Sequence, residues 1–281
     1  MSTAKRTVLI TGCSDGGLGA ALAIAFYEAG LHVYATARDP SKMTNLASLG
    51  IETLPLDVLS DSSIATCVSR LSSLDILVNN AGAVYSMPVS DLSMPECKKL
   101  FDLNVWSYLA VTQAFLPLLL QSKGLIVNHT SVVSSLAVPF QSAYNASKAA
   151  MAMFSDSQRL ELEPFGITVV DLRTGAVKSN ILQNQKAAGL VSLPKDSIYE
   201  PAREAVESAM RNEKLADKGM PAHQWAGQVV QDLLRKKPPM TVWRGAQARL
   251  GWVATFLPHG MFDGMVKKLT GVDVVERMVR K

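Results

Sequence analysis

The stretch Thr7–Ala29, TVLITGCSDGGLGAALAIAFYEA, decides the fold. Thr7–Thr11 is a short run rich in β-branched and aliphatic residues, which reads as a buried strand. Leu18–Ala29 is an alanine-rich helix, and between the two lie Gly12-Cys-Ser-Asp-Gly-Gly-Leu-Gly19. Strand, glycine loop, helix is the context that turns glycines into a phosphate site. The missing side chains let the main chain approach a pyrophosphate, and the helix start offers free N–H groups and a favourable dipole. A tight βα turn without a ligand is the plainer alternative. The regularity of both flanks favours dinucleotide binding.

Reading outward, Leu31–Ala37 is a second strand that ends in Arg38-Asp39. An acidic residue there takes the ribose hydroxyls of NAD, whereas an arginine accommodates the 2′-phosphate of NADP. Arg38 comes first and Asp39 stands beside Pro40, so NADP(H) is the expected cofactor. Ile51–Leu56 reads as the third strand, Asp61–Leu71 as a helix and Leu74–Val78 as the fourth strand, closed by Asn79-Asn80-Ala81-Gly82. Met94–Ser122 reads as a long helical stretch, bent or interrupted near Pro117. Leu125–Thr130 is the fifth strand, Ala143–Leu160 a helix and Ile167–Asp171 the sixth strand. Residues 178–220 are too long for a plain connection and read as a substrate loop or lid. An amphipathic helix (Ala222–Lys237), a last strand (Met240–Trp243) and a helical C-terminal part (Gln247–Lys281) follow. In that part Trp252, Phe256, Leu257, Met261 and Phe262 form an apolar face expected to be core or subunit contact. The alternation predicts one α/β domain over 1–281: a doubly wound parallel (Rossmann) sheet with a helical lid and a C-terminal extension over 244–281.

Chemistry concentrates in Ser131–Lys148, SVVSSLAVPFQSAYNASK. Tyr144 and Lys148 are four apart on a helix and share a face. A free phenol titrates near pH ~10. A neighbouring ammonium is expected to lower that value and suit Tyr144 to proton transfer. Ser131 follows the fifth strand, where its hydroxyl can meet a substrate carbonyl.

The composition, 48% hydrophobic and 19% charged over 281 residues, is that of a globular chain. Three scattered cysteines suggest neither a disulfide framework nor a metal site, and fit a reducing compartment. The N-terminus lacks a signal-peptide pattern, and by this reading no apolar run approaches the ~18 residues of a membrane span. A cytoplasmic location follows as an expectation. The net charge of +4 resides in Arg244–Lys281, with seven Lys/Arg against Asp263, Asp273 and Glu276. A solvated helical surface is the plain reading of that tail, and peripheral contact with an anionic lipid surface the sharper one. No aromatic-interleaved basic stripe indicates a nucleic-acid partner.

Together these features resemble the short-chain dehydrogenase/reductase family over Thr7–Ser179. The matching motifs are Thr11-Gly12…Gly17-Leu-Gly19, Asp57, Asn79–Gly82, Asn104, Ser131 and Tyr144-x-x-x-Lys148. The resemblance implies the catalytic set Asn104, Ser131, Tyr144 and Lys148. Ser131 would polarise a carbonyl, Tyr144 donate the proton, Lys148 tune Tyr144 and hold ribose hydroxyls, and Asn104 position a water. It further implies cofactor contacts from Gly12, Ser14, Gly17, Leu18, Gly19, Arg38, Asp57, Val58, Asn80, Ala81, Gly82, Tyr144, Lys148, Gly175, Val177 and Ser179. No metal is implied, and assembly as a homodimer or homotetramer is. The pattern is most similar to fungal NADPH-dependent 1-acyldihydroxyacetone-phosphate reductase-like members. It implies an NADPH-dependent reductase of a bulky, lipid-like or secondary-metabolite ketone. An NAD(P)-linked alcohol dehydrogenase and a non-catalytic dinucleotide-binding sensor or scaffold are the rivals. Leu182, Leu190, Val191, Leu193, Ile198 and Tyr199 hint at a partly apolar substrate or simply pack the lid. Two departures stand out: the glycine loop holds one extra residue, and Thr174 stands where the family usually has proline.

Overall fold

The structure, a computed structural model, describes residues 5–187, 189, 191–212, 218–258 and 260–279. Seven strands, β1 (Thr7–Thr11), β2 (His32–Ala37), β3 (Glu52–Pro55), β4 (Ile76–Asn79), β5 (Leu125–Ser131), β6 (Thr168–Thr174) and β7 (Thr241–Arg244), form one sheet. Their order is β3-β2-β1-β4-β5-β6-β7, and every pairing is parallel. The chain runs one way from β1 and then returns to place β4 on the other side. The β1/β4 boundary is therefore the point at which the crossovers diverge and a crevice opens beyond the strand ends.

The strands are apolar almost continuously because both faces are covered. Successive side chains of β1 go to opposite sides. Val8 and Ile10 join the core under helix α1 (Leu18–Glu28), while Leu9 joins the core on the other face. The first core is completed by Trp225, Val229 and Leu233. The second takes Ile64 and Cys67 from one helix and Val111, Phe115 and Leu119 from another. In chain order the remaining helices are α2 (Thr44–Ser48), α3 (Asp61–Val68), α4 (Met94–Phe101), α5 (Ser107–Ser122), α6 (Ser142–Leu162), α7 (Ile181–Ala187), α8 (Arg203–Met210) and α9 (Ala222–Leu233). After β7 come α10 (Ala248–Ala254), α11 (Asp263–Thr270) and α12 (Val272–Val279).

Two expectations need correction. The stretch Met94–Ser122 is not interrupted at Pro117, which lies inside α5; its irregularity is a π-helical turn over Asp102–Trp106. That wider turn contains Asn104, whose amide is tied to the main chain of Ala83. The same stretch is long and apolar enough to cross a bilayer by length and composition, contrary to the sequence reading, yet it packs on the sheet as a core helix. Of the two readings of the C-terminal apolar face, core does not apply to most of it: Trp252, Leu257 and Met261 are exposed in the single chain, and Phe256 is 71% exposed. The basic residues Arg280 and Lys281, together with His259, lie outside the described residues.

A buried polar ladder stiffens the sheet beneath the crevice. Asn79 Nδ2 donates to Asn128 Oδ1 (2.9 Å) and Thr112 Oγ1 (3.0 Å), and Asn128 Nδ2 donates to Ser155 Oγ (3.0 Å) and Gln158 Oε1 (2.9 Å). It joins β4 and β5 to α5 and α6. Replacing Asn128 strands several buried partners at once, each costing roughly 1–3 kcal/mol when left unmet. Asn128→Ala should therefore lower the unfolding free energy by about 2–3 kcal/mol in urea titrations. A loss within experimental error would mean the ladder is not holding the elements together.

Candidate active site

The glycine loop follows β1 and lies against the end of β4. Gly12 has φ +74°, and a Cβ on it would stand 2.8 Å from Ala81 Cα. A Cβ on Gly19 would meet Gly12 O at 2.5 Å and Asn80 Nδ2 at 2.6 Å. Only glycine fits at either position. Gly17 caps α1 with no side-chain hydrogen bond, so the helix start offers its N–H groups outward. The extra residue of the loop is absorbed away from that start. Cys13 turns into the core, and Asp15 is tied to the segment after β2 through Asp15 N→Lys42 O (2.8 Å) and Asn45 N→Asp15 Oδ2 (3.1 Å). On the other side Asn180 Nδ2 donates to Asp15 O at 3.2 Å. Ser14 and Gly17 face each other within this turn, Gly17 N donating to Ser14 O at 3.0 Å.

At the end of β2, Arg38 is exposed and has no ion-pair partner among the described residues. Asp39 instead accepts from Ser41 N (3.0 Å) and Ser41 Oγ (2.7 Å), capping the turn Pro40–Met43. These bonds hold its carboxyl below the usual carboxylate range. The carboxylate is thus committed to its own turn while the guanidinium is free. Beyond β3, Asp57 Oδ1 accepts from Leu59 N at 3.0 Å and Val58 is buried. Beyond β4, the N–H groups of Asn80 and Ala81 both donate to Thr11 Oγ1 at 2.9 Å, and a Cβ on Gly82 would lie 3.6 Å from Lys148 Nζ.

The proposed catalytic side chains converge from β5 and α6. Lys148, 5% exposed, donates from Nζ to His129 O at 2.9 Å, with the Tyr108 ring 5.3 Å and the Tyr144 ring 6.0 Å from the ammonium. Ser131 hydrogen-bonds Tyr144 and also donates to Thr174 O at 3.3 Å. Burial raises the Tyr144 phenol above its ordinary value, and the Ser131 hydrogen bond opposes this. Lys148, expected to lower Tyr144, does not dominate it. Burial draws the Lys148 ammonium itself down to about 8, against the pull of the Asp171 carboxylate. Asn104 sits one layer away: Oδ1 accepts from Ala83 N (2.9 Å), and Nδ2 donates to Ala83 O (2.9 Å) and Ser147 Oγ (3.1 Å). Its amide fixes the Gly82–Ala83 main chain beside Lys148.

The segment after β6 closes the crevice. A Cβ on Gly175 would fall 2.2 Å from Ala246 O, and Val177 forms an isolated bridge with Met220. Ser179 is half-buried just before Asn180. In the lid Leu193 is buried, Tyr199 packs edge-on against Phe140 (5.6 Å), Val191 is half-buried and Ile198 is exposed. Leu190 and the side chain of Leu182 lie outside the described residues. Leu193 and Tyr199 therefore serve the packing of the lid against Cys97 and Leu100 of α4, Ala143 of α6 and the loop around Tyr85 and Met87.

A family model described as short chain dehydrogenase matches residues 6–190, about two-thirds of the chain. The chain belongs to the short-chain dehydrogenase/reductase family. A short-chain dehydrogenase/reductase of Pestalotiopsis microspora is 64% identical over 280 residues, covering 100% of this chain and 99% of that protein. The NADPH-dependent 1-acyldihydroxyacetone phosphate reductase of Schizosaccharomyces pombe is 37% identical over 279 residues, with 94% of each chain covered. Among solved structures, a short-chain dehydrogenase from Streptomyces avermitilis superposes with a TM-score of 0.76 at 27% identity, covering 99% of both chains.

For this family member the sequence reading missed two side chains that structure the crevice, Asn180 and His129. Asn180 carried no signal. His129 carried a faint one, a lone imidazole in an otherwise aliphatic and hydroxyl-bearing strand end. The position of Lys148 also has a consequence for pH. Its folded-state value is lowered, so it is charged below pH ~8 and neutral above it. Oxidoreductase turnover that depends on the Lys148 ammonium should hold steady up to about pH 8 and decline above it. Lys148→Met should remove that inflection along with most of the rate. A profile falling only near pH ~10 would assign the limiting titration to an ordinary phenol instead.

Proposed function

We propose that this oxidoreductase is an NADPH-dependent carbonyl reductase, acting on a bulky ketone of lipid-like or secondary-metabolite type. The observation that carries the chemistry is the convergence of Ser131, Tyr144 and Lys148 beside the glycine-lined end of β1 and β4. The cradle fits a dinucleotide: Gly12 and Gly19 leave the main chain bare, and α1 begins with uncapped N–H groups. Exposed Arg38, with Asp39 occupied by Ser41, suits a 2′-phosphate and ill suits free ribose hydroxyls. The NADPH dependence of the Schizosaccharomyces pombe relative supports the same cofactor, and its acyl-dihydroxyacetone phosphate substrate supports a ketone with an acyl tail.

When bound, NADPH supplies the hydride for the carbonyl carbon. Ser131 donates a hydrogen bond to the carbonyl oxygen and polarises it. Tyr144 gives its proton to that oxygen as negative charge develops, the point at which placed donors contribute most. Its raised value keeps the phenol protonated at neutral pH, as a proton donor in the reducing direction requires. The Lys148 ammonium, held by His129 O, stabilises the developing phenolate and can hold the ribose hydroxyls. Asn104 keeps the Gly82–Ala83 main chain in place beside that ammonium, and a water at this point would link Lys148 to solvent.

Tyr144→Phe removes the transferred proton and little else. Turnover of a reducible ketone should fall by about 10²–10⁴, with the NADPH dissociation constant changed by less than about threefold. Wild-type turnover in this variant would refute the assignment. Arg38→Ala removes charge-assisted hydrogen bonds to the 2′-phosphate. The NADPH-over-NADH ratio of kcat/KM should drop by roughly 10- to 100-fold, whereas an unaltered ratio would mean that another group holds the phosphate.

A further inference from the structure

His129 lies in β5, two residues before Ser131, and its side chain is buried between the two loops that frame the crevice. Nδ1 is 2.9 Å from Asn80 Oδ1, and Nε2 is 2.7 Å from Thr174 Oγ1. The ring stacks on Trp225, with centroids 5.4 Å apart. Asn80 is itself oriented, because its Nδ2 donates to Thr11 O (2.7 Å) and Gly12 O (3.1 Å). Its Oδ1 must then be the acceptor, so His129 Nδ1 carries the hydrogen and Nε2 accepts from the Thr174 hydroxyl. Burial, and secondarily the Lys148 charge, drive the imidazole value down to about 3, so the ring stays neutral at physiological pH.

This chain of hydrogen bonds runs across the ends of four adjacent strands. It begins at Thr11 and Gly12 after β1, passes Asn80 after β4 and His129 in β5, and ends at Thr174 in β6. Thr174, just before Gly175, is held from its side chain. Its carbonyl in turn receives the Ser131 hydroxyl, while the carbonyl of His129 receives Lys148.

We propose that His129 and Thr174 are positioning residues. Their hydrogen bond locks the 174–179 segment to the glycine loop so that both sides of the dinucleotide crevice keep one spacing. The inference rests on the reading of this crevice as the cofactor site. Neither side chain needs to touch the cofactor, since each acts on main chain that does.

The test uses Thr174→Val, which keeps the branched shape and removes the hydroxyl, with Thr174→Ser as the conservative control. In the free protein, hydrogen exchange of the amides at 175–178 should quicken in Thr174→Val and stay as in wild type in Thr174→Ser. NADPH titrations should show weakening by about tenfold for Thr174→Val and less than about twofold for Thr174→Ser. The value of kcat at saturating NADPH should change by less than about threefold. His129→Leu removes the Asn80 bond as well and should weaken NADPH at least as much as Thr174→Val, and adding Thr174→Val to it should cost little more, because the bond between the two side chains is already gone. Unchanged exchange and affinity in Thr174→Val would overturn the proposal, as would fully additive effects in the double variant. If Thr174→Ser were as impaired as Thr174→Val, side-chain volume and not the hydrogen bond would be responsible, which also overturns it. Failure of the wild-type chain to bind NADPH would instead sink the cofactor reading and this inference with it.

Discussion

The site depends on how closely two strand ends approach at the β1/β4 boundary. The main chain of Gly12 passes Ala81 at a distance that leaves no room for a Cβ, and Asn80 fastens the approach through Thr11 O and Gly12 O. This contact makes a groove with bare peptide groups on one side and the start of α1 on the other. Any side chain at Gly12 or Gly19 would push the loop off β4 and displace the helix start. The seven-stranded sheet, with an apolar core on each face, is the frame that holds these two ends in register.

Burial sets the electrostatics around that groove. Lys148 and Asp171 are both ionisable and almost wholly buried, and each is compensated locally. Asp171 accepts from Arg173 Nε at 2.6 Å and from the Thr130 hydroxyl, which offset the burial that raises its carboxyl. Lys148 relies on a main-chain carbonyl and on aromatic faces. Unpaired, its ammonium is readily neutralised, which is why its value falls toward the physiological range. The same scarcity of water keeps the Tyr144 proton in place. Donor and cation are thus tuned by one cause acting in opposite senses on a phenol and an amine.

Much of this was legible in the sequence because the signals were local. Strand–glycine loop–helix, Arg38 at the end of β2 and the Tyr144–Lys148 spacing each depend on residues within a few positions of one another. The seven strands were placed to within a few residues for the same reason, though β5 and β6 run on to Ser131 and Thr174 as paired neighbours. What was hidden depends on long-range pairing. The π-helical turn at Asn104 follows from its bonds to Ala83, twenty-one residues earlier in the chain, and Pro117 was the louder but irrelevant signal. The anchoring of the longer glycine loop by Asn180 spans 165 residues. The tuning of Tyr144 was misjudged because spacing on a helix shows nearness but not burial. The apolar residues after Gln247 could be assigned a face, yet only the structure reveals that the chain itself leaves most of them uncovered.

The most direct measurement is a fluorescence titration of the purified wild-type chain with NADPH and, separately, NADH. The account predicts saturable binding of one NADPH per chain, with NADH bound at least about tenfold more weakly for want of the 2′-phosphate. Equal affinities would contradict the role given to Arg38, and binding of neither would contradict the dinucleotide crevice itself.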